Sequence, residues 1–394
     1  MKTLKNIFFY LAIPLTLFVS CKKDHTETNT EPVPPLGKIT GKIVAANNTT
    51  PISAATVFTN NGGQLYITHA DQNGVFTLEA PAGNRHLTIQ SGDGSMFRTE
   101  MDVVVKENQT TAIASQPVSL TQVATLAYIP GVYDKIENIL VDSLGYTATA
   151  ITWHTLDTLS TIAAYDAIFI NCTSTSDMPA DRVLSDQNLA DYVANGGSLY
   201  LSDWAVGYLV GTATSSSDLC SIHPTGGFIA DSLLCTRKTG DVGSIMNTNI
   251  TSASLQAYLN QTTINEIYYN LGAWEQINYA DPNFWETLVA DQTGQALLIR
   301  TNLYTNPSVG TFHTGSNANN ENSLICAMDN SGQHITLSVK NADVALYLAA
   351  GATNGSCDNT LGNGRIYFTT FHNEPNGVIA PDIKNILSYV ILNL

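Results

Sequence analysis

SDQNLADYVANGGSLYLSDW, residues 185–204, sets a helix directly before a strand. Leu189, Tyr192 and Val193 fall at helical spacing behind a Ser/Asp start, and the double glycine at 196–197 ends the helix. SLYLSDW then reads as an apolar strand. The same alternation surrounds it. VATLAYIP (123–130) is a strand, and YDKIENILVDSLGY (133–146) carries Ile136, Ile139, Leu140 and Leu144 at helical spacing before Gly145. TATAITW and DAIFINCT are further strands. Near the far end GRIYFTTF is a strand, and PDIKNILSYVILNL is a closing helix with Pro381 in its first turn. Fully apolar strands alternating with helices predict a mostly parallel sheet covered on both faces. Residues 121–394 are therefore expected to form a doubly wound, flavodoxin-like α/β domain.

Between 211 and 363 the pattern is less regular. INEIYYNL, QALLIR, HITLSVK and DVALYLAAG read as strands separated by Asn/Gly/Ser-rich loops. This stretch is expected to be a large strand-rich insertion into the α/β domain.

Residues 37–120 obey a different period. KITGKIVA, ATVFT, QLYITHA, GVFTLEA, HLTIQ and DVVVKE alternate residue by residue, and turn clusters such as NNGG, DQNG and SGDG separate them. That spacing predicts an all-β domain, a sandwich of roughly seven strands. TPISAATV followed by HADQNGVFTLEAPAG resembles the carboxypeptidase regulatory-like (prealbumin-like) domain. The resemblance implies a stalk or spacer module, in a class sometimes grouped with carbohydrate-binding sandwiches. Asp71, Asn73 and Gly74 form one short acidic turn, too few oxygens for calcium, and read as a structural turn.

The first 21 residues read as an export signal, with Lys2 and Lys5 ahead of an apolar stretch that is too short for a comfortable membrane span. The FVSCKKD junction resembles a Bacteroidota-type lipoprotein signal, which implies that Cys21 becomes the lipidated first residue. The expected partner is then the lipid bilayer, through N-terminal acyl chains, and the expected location is the outer membrane, facing the periplasm or the cell surface. Residues 22–36 include HTETNTEPVPP, a polar, proline-rich tether.

The chain has 394 residues and a formal net charge of −16, with only 17 Lys and Arg in no cluster. Nucleic acid, which is bound through counterion release by basic side chains, is excluded as a partner. No cofactor motif is present, and no CxxC or Cys/His spacing suggests zinc, so neither cofactor nor metal is expected. In an oxidising compartment Cys220 with Cys235, and Cys326 with Cys357, are the natural disulfide pairs by local order. Under this pairing Cys172 is left over, either a reactive thiol or, as is more common, a small buried hydrophobe.

In doubly wound sheets, sites form at the carboxyl ends of strands. NCTSTSD, SDWAVG and FHNEP all arrive there. The arrangement resembles the class I glutamine amidotransferase-like fold over residues 123–210 and 365–394. The family carries a nucleophilic Cys on a sharp strand–helix turn and a late FHPE motif, which FHNE matches at Phe371, His372 and Glu374 with Asn373 in place of Pro. The family's Cys position falls here within Ser202, Asp203 and Trp204, without its flanking glycines. The expectation is thus a degenerate site, more in keeping with a noncatalytic binding or scaffold module than with an enzyme. On that reading Trp204 and Trp274 are candidate binding residues for a glycan or an envelope protein. The alternative is a hydrolase with Ser202 as nucleophile, His372 as base and Glu374 orienting it, with Asp203 beside them. A third reading, an accessory protein of sugar utilisation, rests on analogy with the trehalose-utilisation-like branch of the superfamily.

Overall fold

The computed structural model describes residues 35–113, 117–173, 182–211, 226–301, 321–357, 364–374, 377 and 379–394, and Pro35–Leu394 form one compact unit. The signal segment with Cys21, most of the tether, and Cys220 with its proposed partnership to Cys235 lie outside the described residues.

Eight strands open the unit: β1 (Leu36–Val44), β2 (Thr56–Asn61), β3 (Gln64–His69), β4 (Val75–Pro81), β5 (Gly83–Ser91), β6 (Phe97–Val105), β7 (Thr110–Ala112) and β8 (Val118–Ser119). They form two four-stranded sheets, β4-β1-β7 with β8 also on β1, and β3-β2-β5-β6. This is the β-sandwich that the period-two pattern predicts. In β4, Phe76, Leu78 and Ala80 are buried while Val75, Thr77 and Glu79 face solvent. The DQNG turn ahead of it is structural, as expected: the Asp71 carboxylate accepts the Asn73 and Val75 N–H groups, each at 2.8 Å. Gly74 sits at φ +72°, and a Cβ there would lie 2.2 Å from the Ile43 carbonyl oxygen.

A nine-stranded sheet follows. Its strands are β9 (Leu126–Ile129), β10 (Thr149–Ala150), β11 (Ala167–Ile170), β12 (Ser198–Ser202), β14 (Gly243–Ile250), β15 (Thr263–Tyr269), β17 (Trp285–Ala290), β18 (Ala296–Thr301) and β22 (Ile366–Thr369), in the spatial order β10-β9-β11-β12-β22-β18-β17-β14-β15. From β10 to β22 neighbours run parallel. From β22 to β15 they run antiparallel. The sheet is therefore mixed, which corrects the expectation of a mostly parallel one: four strands of the insertion extend it beyond β22.

Both faces of the parallel half are covered, which is why its strands read as unbroken apolar runs. Ala167 and Phe169 of β11, Tyr200 of β12 and Tyr367 of β22 point to one side. Ile168, Ile170, Leu199, Leu201, Ile366 and Phe368 point to the other, where Leu189, Tyr192 and Val193 of helix α1 (Val183–Ala194) meet them. The chain reverses after α1 at Gly196, φ +104°. On the first side lies helix α4 (Pro381–Asn393), whose Ile383, Ile386, Leu387 and Val390 share a single core with Ile39, Leu78, Ile89 and Phe97 of the sandwich. Two intervening helices, α2 (Ala253–Leu259) and α3 (Val344–Ala349), belong to the insertion. The α3 segment, DVALYLAAG, is helical rather than the strand expected of it.

The rest of the insertion makes a two-stranded ribbon of β13 (Leu234–Gly240) and β16 (Trp274–Ala280), and a three-stranded sheet of β19 (Asn322–Met328), β20 (His334–Lys340) and β21 (Thr353–Asn354). Ile325, Leu337 and Tyr347 pack on Phe58 and Ile67 of the sandwich. Buried Gln90 fastens the contact, accepting the Ser338 N–H at 3.0 Å and donating to the Thr336 carbonyl at 2.9 Å. Cys326 and Cys357 stand at disulfide-bonding distance, with Cα atoms 4.6 Å apart.

Candidate functional site

Four adjacent parallel strands deliver polar residues to one carboxyl edge. After β9 comes Asp134, after β11 Asn171 and Cys172, at the end of β12 Ser202 and Asp203, and after β22 His372 and Asn373. All seven are buried. The insertion closes the edge from the other side with Lys238, Asn270, Trp274 and Glu275.

The sharp turn falls on Asp203, which has φ +42° where the chain leaves β12 for the short helix Asp203–Val206. Ser202, one residue earlier, is ordinary extended backbone with φ −118°. Asp203 is 0% exposed and both of its oxygens are engaged. Oδ1 accepts the Glu275 N–H at 2.7 Å, and Oδ2 lies 3.1 Å from His372 Nε2 and 3.8 Å from Cys172 Sγ. That is ion-pair distance, and Nε2 has no hydrogen-bond partner of regular geometry. The other ring nitrogen, Nδ1, is 3.3 Å from Asn270 Oδ1.

The residues of the expected triad are thus distributed differently. The carboxylate that meets His372 belongs to Asp203. Glu374 accepts a hydrogen bond from the Asn138 side-chain amide instead. The Ser202 hydroxyl accepts the Cys172 N–H at 2.9 Å. Asn373 ties the β22 end to the β9 end: its Oδ1 accepts the Lys135 N–H at 2.9 Å, and its own N–H donates to Asp134 Oδ1 at 2.9 Å. Asn171 does the same from β11, accepting the Ile136 N–H at 2.8 Å and donating to Glu137 at 2.9 Å.

The electrostatics follow from burial. Burial pushes the Asp134 carboxyl up, against the favourable charge of His372. Burial, reinforced by the Asp203 carboxylate, drives the Cys172 thiol well above its usual range. For His372 burial opposes the charge, but the Asp203 carboxylate outweighs it and the imidazole pKa is raised. Glu275 is pushed up to about 7 by burial and by repulsion from Asp203.

The two candidate binding tryptophans separate. Trp274 is only 4% exposed and stacks on Tyr269 with ring centroids 3.9 Å apart, so it belongs to the core. Trp204 is half-buried; its Nε1 donates to the Ala273 carbonyl at 3.0 Å, the Lys238 ammonium sits 3.3 Å above its ring, and Tyr133 meets it edge-on. Sequence reasoning did not single out Asp134, Asn171, Lys238 or Glu275. For Asp134 a signal existed, since YDK comes three residues after an apolar strand (Pro130, Gly131 and Val132 between); for Lys238 and Glu275 there was none.

No family model and no curated protein matches the chain. Among solved structures, it is similar to a DUF3823 family protein from Parabacteroides merdae, with 15% identity and TM-score 0.18, over 23% of this chain and 49% of that one. It is similar to the TIE protein of Bacillus anthracis at 12% identity and TM-score 0.19, over 25% and 19% of the two chains. It is also similar to the 5-hydroxyisourate hydrolase of Klebsiella pneumoniae at 20% identity and TM-score 0.17, over 22% of this chain and 97% of that one. The chain thus spans about half the length of the DUF3823 protein and a fifth of TIE. At these TM-scores the likenesses carry no argument about function.

Proposed function

We propose that this chain is a cell-envelope lipoprotein, anchored through acyl chains on Cys21, whose α/β part is a degenerate doubly wound, amidotransferase-like scaffold used for support or binding and not for catalysis. One observation carries the noncatalytic part. At the turn where such a fold holds its nucleophile stands Asp203, fully buried with both oxygens engaged. A nucleophile has to reach a substrate carbonyl in a reactive state. Asp203 fails the first requirement, being buried with both oxygens engaged, and burial drives the Cys172 thiol well above its usual range. With Trp274 in the core and Lys238 on the Trp204 ring, these two side chains offer no open pair for stacking a sugar, which favours a scaffold role over a glycan platform. Among the described residues no helix is long and apolar enough to cross a membrane, and the proposed anchor is the lipid.

The test is direct. The chain is assayed on activated acetyl esters and γ-glutamyl anilides beside Ser202→Ala and His372→Ala. Equal, background turnover in all three is the expected result; saturable turnover lost in Ser202→Ala establishes the hydrolase instead. Metabolic labelling with a palmitate analogue should mark the wild type and not Cys21→Ser, and label retained in that variant would refute the anchor.

A further inference from the structure

We propose that Cys172, Asp203 and His372 bind one divalent transition-metal ion of the zinc type at the carboxyl edge of the sheet. This goes beyond the scaffold reading and stands on the geometry of the three side chains. Their donor atoms all lie within 4.8 Å of one another, and all three residues are buried. Zinc bonds of about 2.0–2.1 Å to N and O and about 2.3 Å to S place tetrahedral ligand atoms about 3.3 Å apart for N and O, and about 3.6 Å apart for S and O. The corresponding separations here are 3.1 Å for His372 Nε2 to Asp203 Oδ2 and 3.8 Å for Cys172 Sγ to Asp203 Oδ2.

The surroundings orient the donors. Asn270 Oδ1, 3.3 Å from His372 Nδ1, is an acceptor, and it favours the tautomer with hydrogen on Nδ1. Nε2 then presents a lone pair to Asp203 Oδ2. In that tautomer two acceptors face each other at 3.1 Å and call for a cation between them; His372 is 5% exposed and its Nε2 has no hydrogen-bond partner. The Glu275 N–H meanwhile holds Oδ1 and turns Oδ2 inward.

The charge balances too. A divalent ion with one thiolate, one carboxylate and a neutral imidazole has no net charge, the cheapest state for a buried site. A sulfur, nitrogen and oxygen set selects zinc-like ions over magnesium or calcium. Asp134, buried with Oδ2 lacking a hydrogen-bond partner, acts electrostatically on both Cys172 and His372 and is the further carboxylate at this edge. Bound there, the ion would tie together the ends of β11, β12 and β22, which are adjacent strands. No spacing in the chain announces the site because each ligand comes from a different strand.

The competing occupant is a proton on His372 that serves the same pair. To separate the two, the full chain is purified in detergent, stripped with a chelator and titrated with Co²⁺ and then Zn²⁺. One Co²⁺ per chain is expected, with tetrahedral visible bands and a thiolate-to-cobalt charge-transfer band, both bleached by one equivalent of Zn²⁺. Cys172→Ser should lose the charge-transfer band, and His372→Gln should weaken binding at least about a hundredfold. Should a variant misfold by near-ultraviolet circular dichroism, zinc-edge X-ray absorption on the wild type decides, with one sulfur at about 2.3 Å expected. A folded wild-type chain that takes up no metal, a metal shell without sulfur, or undiminished binding in the folded variants would each overturn the proposal.

Discussion

Asp203 holds a left-handed backbone conformation, φ +42°, that costs a residue with a Cβ about 1–2 kcal/mol. Its carboxylate offsets the cost by serving His372 and the Glu275 N–H. Removing it leaves a buried imidazole and a buried amide unserved, a loss of about 3–5 kcal/mol by the usual cost of breaking a buried pair. Asp203→Gly should therefore be destabilised, but about 1 kcal/mol less than Asp203→Ala, because glycine relieves the backbone strain. Urea unfolding of the two variants measures the difference, and equal midpoints would place the strain elsewhere. The same residue marks where reading the chain stops. That Ser202, Asp203 and His372 share a strand edge was legible from the apolar runs that precede them. Which of Ser202 and Asp203 takes the sharp turn is settled by one dihedral angle, and no letter in YLSDWA encodes it. The pairing of Glu374 with Asn138 was likewise invisible, since it depends on how the segment after β9 folds back.

At the scale of elements, the start of α1 carries a buried pair, the capping residue Arg182 and Asp186, each with a side chain 4% exposed and joined at 3.9 Å. Burial raises the Asp186 carboxyl to about 6, and the Gly227 N–H and Arg182 oppose the shift. A carboxyl whose folded pKa lies above its unfolded one contributes most below the unfolded value, near pH 4, and that contribution disappears as pH rises through 6. Wild type should thus lose about 2–3 kcal/mol more than Asp186→Asn between pH 4 and 7. Parallel stability curves for the two proteins over that window would sink the assignment. Elements with a clean period were legible in advance: the alternating sandwich strands, α1, and α4 with its early proline. DVALYLAAG was not, because a short apolar run fits a buried strand and one side of a short helix equally well. Nor did the insertion strands announce that they extend the sheet from β22 through β18, for antiparallel partners are chosen by edge availability and not by local pattern.

For the whole molecule the decisive fact is the core shared by the sandwich, α4 and one face of the nine-stranded sheet. Ile386 is fully buried within it. Ile386→Ala should cost about 2–5 kcal/mol, and the loss should appear as one earlier transition in which sandwich and sheet unfold together. Far- and near-ultraviolet dichroism should give coincident melting curves; two separated steps would mean that the halves fold independently.

β22 lies fifth of nine across its sheet, yet it is residues Ile366–Thr369 of a 394-residue chain. On a ribosome, the strand between β12 and β18 emerges after the other eight strands of its sheet. Until it arrives, the parallel and antiparallel halves have no seam, and the edge where Asp203 waits for His372 stands open. The sheet therefore stays incomplete until its other eight strands have been made, and its closure is concentrated in the arrival of the one strand that joins the two halves.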